Sequence, residues 1–120
     1  MKRILPLILL GLTSLATACD DSSQPAARDR AVEAVCDRFK ACGAIRPSGG
    51  SYVSDESCRV DQAGHWERLW PPQDCDGKID PAQLDLCIQT INLAECGEAL
   101  DIANILLVKC PKSKVCTGRP

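Results

Sequence analysis

Nine cysteines among 120 residues constrain the fold of this chain more than any other feature of its sequence. Cys19 lies close to the N-terminus, and the other eight fall between residues 36 and 116. Those eight are Cys36, Cys42, Cys58, Cys75, Cys87, Cys96, Cys110 and Cys116. No two cysteines are spaced as Cys-x-x-Cys, the pattern that structural zinc sites usually contain. Small secreted domains instead compensate for modest cores with disulfides, and only 3% of these residues are aromatic. We therefore predict disulfides, and no metal site, at the eight downstream cysteines.

The start of the chain has the layout of a secretory signal peptide. Lys2 and Arg3 provide positive charge, and a largely apolar run over residues 4–15 follows them. This run is shorter than the roughly 20 residues that a membrane-spanning helix needs. Small residues at positions 16–18 then provide a cleavage site. We predict that residues 1–18 are a signal peptide that is removed during export.

The segment Leu15-Ala16-Thr17-Ala18-Cys19 resembles a bacterial lipobox, in which the cysteine receives a diacylglycerol and becomes the mature N-terminus. Its leucine lies one place farther from the cysteine than usual, and cleavage by ordinary signal peptidase is the alternative. The odd cysteine count favours lipidation, because excluding Cys19 leaves eight thiols that can pair completely. We therefore predict that Cys19 carries acyl chains such as palmitate and attaches the chain to a membrane.

A lipid on Cys19 places the protein in the cell envelope, with its domain outside the cytoplasm. Asp20 resembles an inner-membrane retention signal of enteric bacteria, but that rule varies between bacterial groups, so both membranes remain open. Residues 19–30 are mostly polar and predict a flexible tether after the lipidated cysteine. Residues 31–116 are predicted to form a cysteine-rich helical domain, and residues 117–120 a C-terminal tail.

Two helices are predicted in the first half of this domain. Apolar residues recur with the i, i+3, i+4, i+7 spacing of one helix face between Ala31 and a stop at Gly43. A second helix begins after Ser54, a favourable N-cap, and ends before Pro71. The residues predicted to face inward from these helices are Val32, Val35, Cys36, Phe39, Cys58, Trp66, Leu69 and Trp70.

Two more helices are predicted in the second half. The third begins with Asp80 as N-cap and Pro81 as first helical residue, and it directs Leu84, Cys87, Ile88 and Ile91 to one face. The fourth runs from about residue 98 to residue 109 and is apolar on most of its surface. The sequence therefore predicts an all-α fold, a small disulfide-stapled bundle of about four helices.

The pairing of the eight cysteines is only partly constrained by the sequence. On one continuous helix Cys36 and Cys42 are about 9 Å apart along the axis, which is beyond disulfide reach. Cys87 and Cys96 are excluded in the same way if one helix contains both. Cys42 ends the first predicted helix and Cys58 begins the second, so an antiparallel pair would bring them together. Cys42–Cys58 is therefore the favoured single bridge.

Asp74, Asp76 and Asp80 partly resemble an EF-hand calcium loop, with Gly77 at the place of the invariant glycine. In that register a proline and a glutamine occupy the first and last ligand positions, where calcium needs carboxylates. A turn followed by a helix N-cap explains the same residues without a metal. We favour the turn and keep calcium binding as the alternative.

His65 is the only histidine, and no nucleophile signature accompanies it. Because its surroundings in sequence are polar, we predict a helix-surface residue and no enzymatic activity. Trp66, Trp70 and the adjacent prolines form the only aromatic–proline cluster. Exposed tryptophans could bind a partner, but in a chain with so few aromatic residues we predict that they belong to the core.

The net charge of the chain limits the classes of molecule that it can bind. The chain has 14 Lys and Arg residues and 16 Asp and Glu residues, and loss of Lys2 and Arg3 with the leader leaves 12 against 16, a net charge of −4. A nucleic-acid-binding domain needs a basic face, so we expect no nucleic acid partner. We expect no cofactor, and the expected partners are the membrane, through the lipid, and a protein of the envelope.

The cysteines and several neighbouring residues, including a helix-capping residue, follow a defined spacing along residues 31–116. These are Cys36-x5-Cys42-Gly43, Tyr52-x5-Cys58, Cys75, Asp80-x6-Cys87, Cys96 and Cys110-x5-Cys116. This arrangement resembles that of small cysteine-rich lipoproteins found in myxobacterial genomes. The resemblance implies the same helical, disulfide-rich architecture, and it implies no activity because none is assigned to that family.

Together these features predict a cell-envelope lipoprotein that acts as a non-enzymatic structural or interaction module. The alternative is an envelope module that binds calcium or a small ligand through the loop Asp74–Asp80.

Overall fold

The computed structural model describes residues 22–99 and 108–118. Within these ranges the chain forms helices and no β-strand, so the predicted all-α class is confirmed. The helices are α1 (Gln24–Ala41), α2 (Asp55–Leu69), α3 (Pro72–Cys75), α4 (Pro81–Leu93), α5 (Cys96–Ala99) and α6 (Lys112–Val115). The predicted signal peptide, Cys19 and most of the predicted fourth helix lie outside the described residues.

Helix α1 begins at Gln24, seven residues before the start predicted at Ala31. Ser23 is its N-cap, and its hydroxyl accepts a hydrogen bond from a backbone N–H of the first turn at 3.4 Å. Pro25 stands in that first turn, where a missing N–H costs nothing. The prediction that residues 24–30 belong to a flexible tether is therefore wrong. These residues are polar in composition, but their caps and alanines form a helix.

The predicted starts of α2 and α4 are confirmed. Ser54 accepts a hydrogen bond from the backbone N–H of Ser57, whose hydroxyl in turn accepts one from the Ser54 N–H. Asp80 accepts hydrogen bonds from the backbone N–H groups of Ala82 and Gln83 at 3.0 and 3.2 Å. Both caps satisfy donors that the helix itself leaves without partners.

The core lies between α1 and the helices that pack on it, mainly α2 and α4. Its principal side chains are Ala31, Val35, Cys36, Phe39, Cys58, Trp66, Trp70, Ile79, Leu84, Cys87, Ile91 and Val115. The apolar faces predicted for the helices that are now α1, α2 and α4 are thus confirmed, with Leu69 and Ile88 partly buried at the edge. The chain has few aromatic residues, and its two buried tryptophans supply much of the apolar volume of the core.

All eight cysteines between residues 36 and 116 form disulfides. The bridges are Cys36–Cys58, Cys42–Cys96, Cys75–Cys116 and Cys87–Cys110. Every bridge joins two separate parts of the chain, so the fold is cross-linked along its whole described length. The predicted Cys42–Cys58 bridge is wrong.

The loop between α1 and α2 explains the different pairing. It turns back along α1, because the Ala44 N–H donates to the Phe39 carbonyl at 2.9 Å and residues 45 and 52 form an isolated β-bridge. The first turn of α2 therefore lies beside Cys36, with a Cα–Cα distance of 5.9 Å to Cys58. Cys42, directly after the end of α1, instead meets Cys96 at the start of α5.

The three long helices give the molecule two distinct ends. Helices α1 and α4 run in the same direction, with the Arg30 guanidinium 3.0 Å from the Asp85 carboxylate, and α2 runs in the opposite direction. The junction end consists of residues 22–24, 74–80 and 112–118. The loop end consists of residues 42–54 and 94–97, and Arg38 near the end of α1 ties it together by donating to the Ala94 carbonyl at 2.7 Å.

In the part of the chain that the structure describes, no helix combines the length and apolar character that crossing a bilayer requires.

Candidate functional site

Three segments that are distant in sequence meet at the junction end. Backbone N–H groups of one segment donate to another in three places, and a disulfide and a side-chain cap add two more links. The links are Ile79 N to Ser22 O (3.4 Å), Asp80 N to Val115 O (2.8 Å), Gly118 N to Lys78 O (3.2 Å), Gln24 N to Asp76 Oδ1 (3.1 Å) and Cys75–Cys116. The start of α1, the connector before α4 and the C-terminal segment thus form one unit.

The three carboxylates of the predicted calcium loop lie at this end, but each has a different partner. Asp74 Oδ2 is 2.9 Å from the Lys112 ammonium, Asp76 accepts from the Gln24 N–H, and Asp80 caps α4. Across residues 22–99 and 108–118, no three His, Cys, Asp or Glu side chains are grouped to hold a metal ion. The geometry therefore favours the turn-and-cap interpretation of this loop.

Gln24 is the buried polar residue at the centre of the junction end. Its side chain is fully buried, and its Nε2 donates to the Trp70 carbonyl at 2.7 Å and to Glu67 Oε2 at 3.1 Å. Its Oε1 is buried and has no hydrogen-bond partner among the described residues. Sequence reasoning missed this residue because it placed Gln24 in the tether. The signal that could have found it is Ser23 followed by Pro25, a combination typical of a helix start.

Glu67 connects Gln24 to the surface of the bundle. Hydrogen bonds from the Gln24 amide and from the Arg28 guanidinium lower the pKa of Glu67 below its ordinary value. The same bond to Glu67, followed by one to Asp29, raises the pKa of Arg28. Both side chains are substantially solvent-exposed, so this ion pair contributes more to orientation than to stability.

A groove of about 690 Å³ lies beside the junction end, between the start of α4 and α6. Its lining residues are Asp80, Gln83, Leu86, Ser113, Lys114 and Thr117. The groove is a broad surface depression with both charge signs and hydroxyl groups. Enclosed substrate pockets bury most of their ligand, and this depression suits contact with a surface better.

The two tryptophans and the histidine that the sequence singled out lie in the core and on the surface of α2, respectively. Trp66 and Trp70 are fully buried with ring centroids 4.5 Å apart, and Trp70 Nε1 donates to the Cys110 carbonyl at 2.9 Å. Their predicted place in the core is confirmed. His65 is half-buried on α2, and its side chain makes no hydrogen bond or ion pair with another described residue.

Lysines are distributed unevenly between the two ends. Lys78, Lys112 and Lys114 are exposed at the junction end, and Lys40 is exposed in the last turn of α1, close to the loop end. Lys112 has its ion pair with Asp74, and the Lys114 ammonium donates to a backbone carbonyl at 3.4 Å. The Lys78 side chain has no hydrogen bond or ion pair within the described ranges.

Comparison with protein-family models identifies the family of this chain. A family model described as a family of unknown function (DUF6184) matches residues 36–118, which is more than half of the chain. The matched span begins at the first paired cysteine and ends two residues after the last. No curated protein and no solved structure matches the chain significantly.

Proposed function

The chain belongs to this family of unknown function, DUF6184, and we propose that it is a lipid-anchored protein of the bacterial cell envelope that serves as a non-enzymatic structural or interaction module. We further propose that it is one of the small cysteine-rich lipoproteins similar to those of myxobacteria. Cys19 carries the lipid, and the disulfide-stapled helical domain stands outside the cytoplasm.

One observation carries this proposal. All eight cysteines of the domain have a disulfide partner within it, which leaves Cys19 as the single cysteine without a partner there. Cys19 directly follows an apolar leader and small residues, where a lipoprotein receives its acyl chains. Four disulfides also require an oxidising compartment, which supports a location outside the cytoplasm.

The surface of the domain supports a role in display rather than catalysis. The carboxylates of residues 74–80 serve as the N-cap of α4, as the ion-pair partner of Lys112 and as the acceptor for the first N–H of α1. The groove beside the junction end is broad and lies on the surface. Disulfides join α1 to α2 and to the start of α5, and they join α4 to the C-terminal segment. Such cross-links favour a rigid scaffold, and rigid scaffolds lower the entropic cost of binding a partner. An envelope protein is the partner that this location offers.

The anchor can be tested by metabolic labelling with an alkyne analogue of palmitate, followed by flotation of membranes. We expect label and flotation for the natural chain and neither for Cys19→Ser. The matched control is the double variant Cys42→Ser/Cys96→Ser, which also removes cysteines but leaves the leader and Cys19 intact. It should remain labelled. An unlabelled natural chain, or label on the Cys19→Ser variant, would contradict the proposal.

A further inference from the structure

The folded chain begins very close to Cys19. The Ser22 carbonyl already accepts a hydrogen bond from Ile79, and the Gln24 N–H donates to Asp76. Only three Cα–Cα steps separate Cys19 from Ser22, and they span no more than about 11 Å even when fully extended. A lipid on Cys19 would therefore hold the junction end within about one Debye length of the headgroup layer, roughly 8–10 Å in physiological salt.

We propose that the junction end is a membrane-contacting face that docks on phospholipid headgroups and turns the loop end away from the bilayer. The proposal rests on lipidation of Cys19, the function proposed above, and it adds a defined face and orientation to that function. The length of chain before Ser22 sets the distance, and the charges at the junction end provide the contact.

The charges of the junction end suit phosphate groups. Asp76 and Asp80 accept hydrogen bonds from N–H groups at helix starts, where the helix dipole offsets negative charge, and Asp74 pairs with Lys112. Among the described residues, Lys78 and Lys114 are then the exposed ammonium groups of this end without a carboxylate partner. Ammonium groups donate hydrogen bonds to phosphate oxygens and are attracted by anionic lipid surfaces.

The junction end is held together as one unit, and this favours a well-defined orientation. The Cys75–Cys116 disulfide and the backbone hydrogen bonds described above join its three segments. Helix α1 starts there and extends for 18 residues, about 27 Å at 1.5 Å per residue. Lys40, in its last turn, is therefore a natural marker of the side that faces away from the membrane.

Lysine acetylation on vesicles tests this orientation directly. The full lipidated protein is added to preformed vesicles of phosphatidylcholine and phosphatidylglycerol, which contain no competing amines. An uncharged amine reagent is applied, and mass spectrometry measures the acetylation rate of each lysine. The matched variant has a Gly-Ser spacer of about twelve residues between Asp21 and Ser22, which allows the domain to move about 20 Å from the surface.

We expect Lys78 and Lys114 to react severalfold more slowly in the natural chain than in the spacer variant, while Lys40 reacts at the same rate in both. Equal rates at Lys78 and Lys114, with the acyl mass present at Cys19, would overturn the orientation and leave the lipoprotein intact. Slower reaction at Lys40 would show that the opposite end faces the membrane. An unacylated Cys19 would overturn both proposals.

Discussion

Gln24 illustrates how one polar side chain organises the junction end. A buried amide costs free energy unless its hydrogen bonds are satisfied, and here its Nε2 has two acceptors on or near the end of α2. These bonds hold the start of α1 against Trp70 and Glu67. The residue therefore couples the first described helix to the second at the end where the chain enters the domain.

We expect Gln24→Ala to lower the free energy of unfolding by about 1–3 kcal/mol, because it removes two donors from a fully buried position. Denaturant unfolding of the oxidised protein measures the change. The control is Gln89→Ala, which truncates an exposed glutamine on α4. Similar losses in the two variants would show that the buried amide has no special role.

The Glu67 carboxylate gives the protein a distinct acid dependence. Because its pKa is lowered in the folded state, its interactions stabilise the fold above the pKa of the unfolded chain and are lost as pH falls through the folded pKa. We expect Glu67→Gln to flatten the loss of stability between about pH 5 and pH 3. The effect is small because the pair is exposed. Glu95→Gln is the control, and an equal flattening there would contradict the assignment.

The helices differ in how much of them could be predicted from the sequence. The starts of α2 and α4 were predicted because Ser54 and Asp80 are local caps that act within a few residues. The start of α1 was missed because the polar composition of its first turns outweighed the local signal of Ser23 and Pro25. Contacts from the connector and from α2, which are remote in sequence, also stabilise these turns. Local chemistry therefore determined two helix starts, and tertiary contacts contributed to the third.

The cap of α4 can be tested by Asp80→Ala, which removes the acceptor for two backbone N–H groups. We expect a loss of about 1 kcal/mol in unfolding free energy, and Asp80→Asn should retain most of the stability. Asp85→Ala is the control on the same helix, since it removes only an exposed ion pair with Arg30. A cost for Asp80→Ala no greater than that for Asp85→Ala would contradict the capping role.

On the scale of the whole molecule, the disulfide pattern could be predicted in kind but not in connectivity. Eight cysteines after a predicted export signal indicated disulfides, and helix geometry correctly excluded Cys36–Cys42. The partner of Cys58 depended on how the loop over residues 43–54 turns back, and the cysteine spacing contains no information on that turn. Cysteine spacing likewise contains no information on the contact that brings Cys42 beside Cys96.

The four disulfides differ in their access to solvent. Cys96 is exposed and Cys42 half-buried, whereas every other bridge contains at least one fully buried cysteine. Exchange requires an attacking thiolate to reach a sulfur, so we expect mild dithiothreitol to open Cys42–Cys96 first. Alkylation followed by peptide mass spectrometry identifies the freed thiols. Equally rapid labelling of Cys36 and Cys58 would contradict this order.

The proposed function divides the nine cysteines into eight in disulfides and one that carries a lipid. Intact mass spectrometry of the protein extracted from membranes tests both parts in a single spectrum. We expect a chain that begins at Cys19, carries a diacylglyceryl group, and lacks eight hydrogens, two for each of the four disulfides. Reduction should restore those eight hydrogens and leave the acyl mass unchanged. An N-terminus without acyl mass, or a native mass with fewer hydrogens missing, would contradict the account.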